Sequence, residues 1–360
     1  MLLTCLQPSQ EFYLKSIGMT LIKKKKKVYP VSENLLKYLK QYGRAARLPL
    51  KYSDLLRYET SITLYDKKGN DTLWSTILFP EGERNEIHEN LRKIYAILKA
   101  NGDEQLMRHL YVERIDICEY GNTLPFRVKI VNRFNENYDY FYIKQADASR
   151  ILGLELEHLL SPNRINYVVY NETLIEEHIP GIPGELFIKQ FIKSQNSYLD
   201  EIRLAKEFVK FNERCFVRLL GDMHCNNFVI ELTPDFDETF YRMRSIDFDQ
   251  QCYEGNIRVY MPQYFKENNP IIYLGIKGMT PETVKQYQKE ERAVMRYRVR
   301  SQRYQIKDFM DMMILEEIAP KEHVEELKEG LAKHYNEPKF LKYKTMGGLL
   351  KQSLKMLFRQ

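Results

Sequence analysis

The chain has 360 residues, 44% of them apolar, and carries 55 Lys and Arg against 49 Asp and Glu for a net charge of +6. That length supports two lobes with cores of their own, and no apolar run approaches the roughly 18 residues a bilayer span requires, so no membrane span is expected. Five cysteines without a Cys-x-x-Cys pair argue against a disulfide framework and a structural zinc, and for a reducing cytoplasm.

The positive charge comes first along the chain. Residues 1–60 hold twelve Lys or Arg against four Asp or Glu, a balance of +8, so the remaining residues sum to −2. The apolar start at 1–6 is too short for the core of a secretory signal. The run Lys23 to Lys27 is read as a solvated arm; the alternative is docking on nucleic acid or another anionic surface, and no nucleic-acid fold signature accompanies it. Ser32 caps a short helix ending near Gly43. Residues 61–65 and 72–79 flank a turn as a hairpin, and 83–99 form an amphipathic helix with Ile87, Leu91, Ile94 and Leu98 inward.

Strands are expected at 110–119, 126–132 and 139–144, the last closing on Lys144. Asp147 caps a helix over 148–160 whose apolar face holds Ile151, Leu152, Leu156, Leu159 and Leu160, with Glu155 inside its border and Glu157 outside. A strand pair follows at 165–170 and 173–179 and ends on Pro180-Gly181. A helix over 199–216 leads to Gly221, and short strands at 228–232 and 243–246 come next. Helices near 281–303, 306–317, 321–335 and 348–358 close the chain. Arg292, Arg296 and Arg300 recur every four residues and are read as a solvated face paired with Glu291 and Asp308.

The chemistry is concentrated in Gly221-Asp222-Met223-His224-Cys225-Asn226-Asn227 and in Ser245-Ile246-Asp247-Phe248-Asp249. An aspartate, an asparagine five residues on, and a second aspartate closing a strand are the groups that phosphoryl transfer from a metal-bound nucleoside triphosphate uses. One carboxylate orients the acceptor, and the amide and the other carboxylate hold the metal. His224 is read as a hydrogen-bonder of the turn and Cys225 as a small packed residue.

These segments resemble the aminoglycoside-phosphotransferase-like and choline-kinase-like branch of the protein-kinase-like superfamily, whose catalytic run is His-Gly-Asp-x-His-x-x-Asn followed by Ile-Asp-Phe-Asp or Ile-Asp-Phe-Gly. Leu220 stands where the first histidine usually stands, so the bonding that fixes the turn must differ. The resemblance implies an α+β, bilobal protein-kinase-like fold. Its parts are a basic N-terminal extension at 1–105, a small antiparallel β-rich nucleotide-binding N-lobe at 106–182 and a mainly helical catalytic and acceptor-binding C-lobe at 183–360. It implies Asp222 as the catalytic aspartate, Asn227 and Asp247 as Mg²⁺ ligands, and Lys144 on the ATP phosphates, held by Glu155. It further implies that the carbonyl of Glu177 and the amide of Ile179 read the adenine edge. Thr123, in a loop with one glycine, would cover the phosphates.

The resulting expectation is a cytoplasmic kinase that moves the γ-phosphate of ATP to a hydroxyl of a small-molecule acceptor. A balance of +5 over 281–360 disfavours cationic antibiotics as acceptors, and the absence of Ala-Pro-Glu disfavours a standard protein kinase. The alternatives are a pseudokinase scaffold, motivated by Leu220 and the glycine-poor loop, or a kinase-like enzyme that AMPylates or phosphorylates protein.

Overall fold

A computed structural model describes residues 26–119, 121, 124–194, 199–236 and 238–359. Lys23 to Lys25 of the basic run lie outside the described residues. Helices α1 (Glu33–Gln41), α2 (Glu81–Ala100) and α3 (Ala148–Leu160) interrupt the strands β1 (Thr60–Tyr65), β2 (Asp71–Leu78), β3 (Leu110–Ile117), β4 (Phe126–Asn132), β5 (Tyr138–Gln145), β6 (Tyr167–Tyr170) and β7 (Thr173–Glu177). These strands form one seven-stranded antiparallel sheet in the order β1-β2-β3-β4-β5-β7-β6.

Local chemistry explains the hairpins. Asp66 accepts the backbone N–H groups of Lys68 and Asn70, both at 2.8 Å, and Gly69 supplies the positive φ of 79° that the turn needs. The β1–β2 hairpin is then stitched into the main sheet, with Ser75 opposite Ile117 and Thr76 opposite Asp116. Asp116 is fully buried, and its carboxylate takes Thr76 Oγ1 at 2.9 Å, Arg127 Nη2 at 2.8 Å and Arg114 Nε at 2.8 Å. A buried carboxylate hydrogen-bonded by Thr76 and Arg127 and ion-paired with Arg114 holds this seam more firmly than the short backbone ladder alone.

Two apolar cores result. Ile87, Leu91, Ile94 and Leu98 of α2 pack with Phe126, Phe141, Ile143 and Ile175 of the sheet in the smaller one. Each such burial contributes about 1.5–3 kcal/mol before ordering costs, which attaches α2 to the sheet. Leu35, Tyr38 and Leu39 of α1 lie instead in the larger core, with Leu152 and Leu156 of α3 and Met310 and Met313. Within the described part of 1–105, β1 pairs with β2 at the edge of the sheet, β2 and α2 contribute to the smaller core, and α1 lies in the larger one.

The rest is helical around a second, three-stranded sheet of order β10-β9-β8, made of β8 (Ile182–Pro183), β9 (Phe228–Asp235) and β10 (Glu238–Ser245). Around it stand α4 (Glu201–Arg218), α5 (Asn269–Gly278), α6 (Pro281–Ser301), α7 (Arg303–Met313), α8 (Lys321–Tyr335) and α9 (Met346–Met356). The arginines of α6 are not a simple solvated face. Arg292 pairs with the buried Glu213 of α4, Glu291 pairs with Arg214 at 3.2 Å, and Asp308 accepts Tyr42 Oη at 2.7 Å. Among the described residues no helix is long and apolar enough to cross a membrane.

Candidate functional site

The β9–β10 hairpin brings the two sequence segments together. Phe228 pairs with Ser245, and one step beyond the ladder Ile246 N donates to Asn227 O at 3.0 Å. An antiparallel hairpin returns its two strands to the same end, so Asn227 and Asp247 emerge side by side whatever the length of the connection. Asn227 Nδ2 reaches back to Asp222, donating to its carbonyl at 2.7 Å and approaching its Oδ2 at 3.5 Å.

The turn that presents Asp222 is held by main chain. Gly221 N donates to Gln250 O at 3.2 Å, Asp222 N to Val259 O at 2.9 Å and Cys252 N to Leu219 O at 2.8 Å. Gln251, fully buried, donates through Nε2 to Arg218 O at 2.6 Å and Leu219 O at 3.1 Å. Leu220 is buried beside this lattice, which fixes the turn through main-chain bonds and Gln251. Asp222 sits at a φ of 61°, a left-handed conformation that aspartate tolerates better than most residues. His224 Nδ1 accepts Asn226 N at 3.3 Å, a bond within the turn.

Lys144 does not meet Glu155. Its Nζ donates to Glu176 Oε2 at 2.8 Å, from β5 to the adjacent β7. Glu155 is buried too, but it faces α1 and β6. It accepts Tyr38 Oη at 2.7 Å, Tyr167 Oη at 2.6 Å and Gln305 Nε2 at 3.0 Å, with Arg44 Nε at 3.3 Å. The helical periodicity that predicts Glu155 to be inward is correct about its burial and misleading about its partner.

Helix α3 contributes an arginine where a glutamate was expected. Arg150 is buried and joins Glu176 through Nε and Nη2, the latter at 2.8 Å; its Nη1 lies 2.8 Å from Asp247 Oδ1 and 2.8 Å from Asp249 Oδ1. Ser149 Oγ adds bonds to the carbonyls of Gln251 at 2.7 Å and Asp249 at 3.2 Å. Gly153 lies so close that a Cβ there would stand 2.9 Å from Phe248 Cβ. The first turns of α3 thus grip the whole 247–251 segment.

Lys26 is also part of the cluster. Its side chain is only 6% exposed, pairs with Asp147 Oδ2 at 3.0 Å and donates to the carbonyl of Asp249. This lysine is buried rather than solvated. Asp147 meanwhile caps α3 as expected, accepting Arg150 N at 3.3 Å, and also takes Tyr29 N at 2.8 Å.

Charge is tightly arranged here. Burial would raise the Glu176 carboxyl, but Arg150 and Lys144 outweigh it and hold it down at about 2. Burial also opposes ionisation of Asp249, and Arg150, Lys144 and Lys26 prevail in lowering it. Asp247 goes the other way, raised by burial and by Asp249 despite Arg150. Asp222 is pushed up to about 6, first by burial and then by Asp247, Glu254 and Glu267, against the opposing pull of His224. Yet the Asp222 and Asp247 side chains keep 40% and 35% of their surface open, so both remain reachable from solvent.

Among the described residues no group of three or more His, Cys, Asp or Glu forms a metal cage. Mg²⁺ does not need one, because it is usually held by one or two carboxylates plus water and phosphate oxygens. Every hydrogen bond to Asp247 from the described residues falls on Oδ1, which leaves Oδ2 for a further ligand. The side chains of Asp247 and Asn227 carry oxygens of the kind that ion takes.

The remaining predicted residues are more scattered. Glu177 lies at the end of β7 opposite Phe141; its side chain accepts Asn166 N at 2.7 Å and Lys99 Nζ at 3.1 Å. Ile179 is buried just beyond. Thr123 lies outside the described residues. Cys225 is buried, which pushes its thiol up to about 11 and makes it a poor nucleophile. A hollow of about 400 Å³ on the C-terminal helices is lined by none of these residues. No family model matches the chain, and no curated protein matches it.

Proposed function

We propose that the protein is an ATP-dependent phosphotransferase of bilobal protein-kinase-like architecture, moving the γ-phosphate to a hydroxyl of a small-molecule acceptor in the cytoplasm. The observation that supports this most is the meeting of Asp222, Asn227 and Asp247 at one end of the β9–β10 hairpin, with Lys144 linked to Asp247 through Glu176 and Arg150. Separate sequence segments supply a base, an amide, a carboxylate and a cation, which is the set this chemistry uses.

Asp222 accepts the hydrogen bond of the acceptor hydroxyl, orients it and takes its proton late in transfer. With a carboxyl near 6 it is ionised at neutral pH and still more basic than an ordinary aspartate. Asn227 and Asp247 would hold Mg²⁺, whose chemistry is to neutralise the phosphate oxygens. Lys144, fixed by Glu176, would carry the phosphates on the sheet side, and the carbonyl of Glu177 with the amide of Ile179 would read the adenine edge.

One observation favours a second reading, a non-catalytic scaffold: Arg150 bonds the same Asp247 that a metal would use. Incubation with ATP labelled at the α- or the γ-phosphate and a mixture of hydroxyl metabolites separates the two. Transfer of γ-label alone, lost in Asp222→Asn, supports the kinase. Transfer from the α-position replaces it with nucleotidyl transfer, and no transfer from either supports the scaffold.

A further inference from the structure

We propose that Arg150 is a charge lock that makes metal binding at Asp247 conditional on nucleotide. The inference rests on the phosphotransferase reading of the site and concerns its regulation. Three carboxylates, Glu176, Asp247 and Asp249, meet two buried cations, Lys144 and Arg150, and Lys26 joins the Asp249 carbonyl to the carboxylate of Asp147. Counted as full charges, these four carboxylates and three cations leave a net −1.

Arg150 is its hinge. One guanidinium nitrogen, Nη1, is shared between Asp247 and Asp249, while Nε and Nη2 fork onto Glu176. The planar fork can keep Glu176 and Asp249 while giving up Asp247, a division that the single nitrogen of a lysine could not make. A bare divalent cation on the open Oδ2 of Asp247 would face this guanidinium across the same carboxylate and turn the cluster's charge from −1 to +1. A divalent cation arriving on a triphosphate brings its own anionic oxygens, which Lys144 and the released Nη1 can take up. Binding of metal and nucleotide is thereby coupled in both directions.

The test is a titration of Mn²⁺, followed by the loss of its free paramagnetic signal, against wild type and Arg150→Gln. Each is titrated with and without a non-hydrolysable ATP analogue. Without nucleotide, the variant is expected to bind Mn²⁺ at least tenfold more tightly than wild type. The analogue is expected to tighten Mn²⁺ binding strongly in wild type and much less in the variant. If Arg150→Gln folds poorly, the double variant Arg150→Gln/Glu176→Gln, which removes one charge of each sign, carries the same expectation. Equal Mn²⁺ affinity in wild type and variant without nucleotide, including no binding by either, overturns the lock. Tighter Mn²⁺ binding by the variant with no response to the analogue in either protein shows that Arg150 opposes metal at Asp247, but overturns the dependence on nucleotide and the phosphotransferase reading with it.

Discussion

Lys144 and Glu176 stand on neighbouring antiparallel strands, and their side chains meet at 2.8 Å. Tyr142 is the direct partner of Glu176 in the ladder, so Lys144 lies on the diagonal, two residues along the same face. This pair ties the sheet to Arg150, and through Arg150 to the loop that carries Asp247.

Removing Glu176 should be costly. Glu176→Ala leaves Lys144 and Arg150 buried without their shared partner, and breaking a buried ion pair costs about 3–5 kcal/mol. Urea unfolding should show that loss, together with a fall in ATP affinity. Glu155→Gln weakens the bonds to Tyr38 and Tyr167 and should lower stability with ATP affinity unchanged.

The same carboxyl sets an acid limit. Its folded value of about 2 lies below the usual 4.5, so the stabilisation is fully present above pH 4.5 and is lost as pH falls toward 2. Asp249, also lowered, adds to the loss at low pH. Thermal unfolding followed from pH 6 down to pH 2 should show a steep decline that is blunted in Glu176→Gln.

Asp222 should control activity at higher pH. Activity requires the carboxylate, so kcat/KM should rise through a midpoint near 6 rather than near the usual 3.8. Glu254→Gln and Glu267→Gln remove charges that raise Asp222 and should move the midpoint down. Asp222→Asn and Asp247→Asn should each lower transfer about 10²–10⁴-fold or more with the far-ultraviolet circular dichroism retained.

The contact at Gly153 should be intolerant of size. A Cβ would lie 2.9 Å from Phe248 Cβ and 3.1 Å from Gln251 Cβ, on the segment that carries Asp247. Gly153→Val should cost about 1–3 kcal/mol by overpacking and weaken ATP binding as the loop is displaced. A lowered Tm with wild-type ATP affinity would show that the loop does not depend on α3.

What could be read from the sequence was local. The Ser32 and Asp147 caps, the inward face of α2 and the strands around the 221–227 turn all follow from neighbours within a few residues. The approach of Asn227 to the 246–247 segment follows from a hairpin, which needs no long-range information. Glu155 failed because periodicity reports burial and not identity of contact, and Tyr38 approaches it from 117 positions away. Glu176 was hidden because β5 pairs with β7 across the intervening β6, a crossover with no local signature. Lys26 was lost in a run of five lysines whose composition reads as solvated, although Asp147 and Asp249 bury this one.

The most direct measurement is a calorimetric titration of MgATP into wild type and into Asp247→Asn. The expected result is one saturable site in wild type that is abolished, or weakened at least tenfold, in the variant. No binding by wild type, or undiminished binding by Asp247→Asn, would contradict a nucleotide site built on Asp222, Asn227 and Asp247.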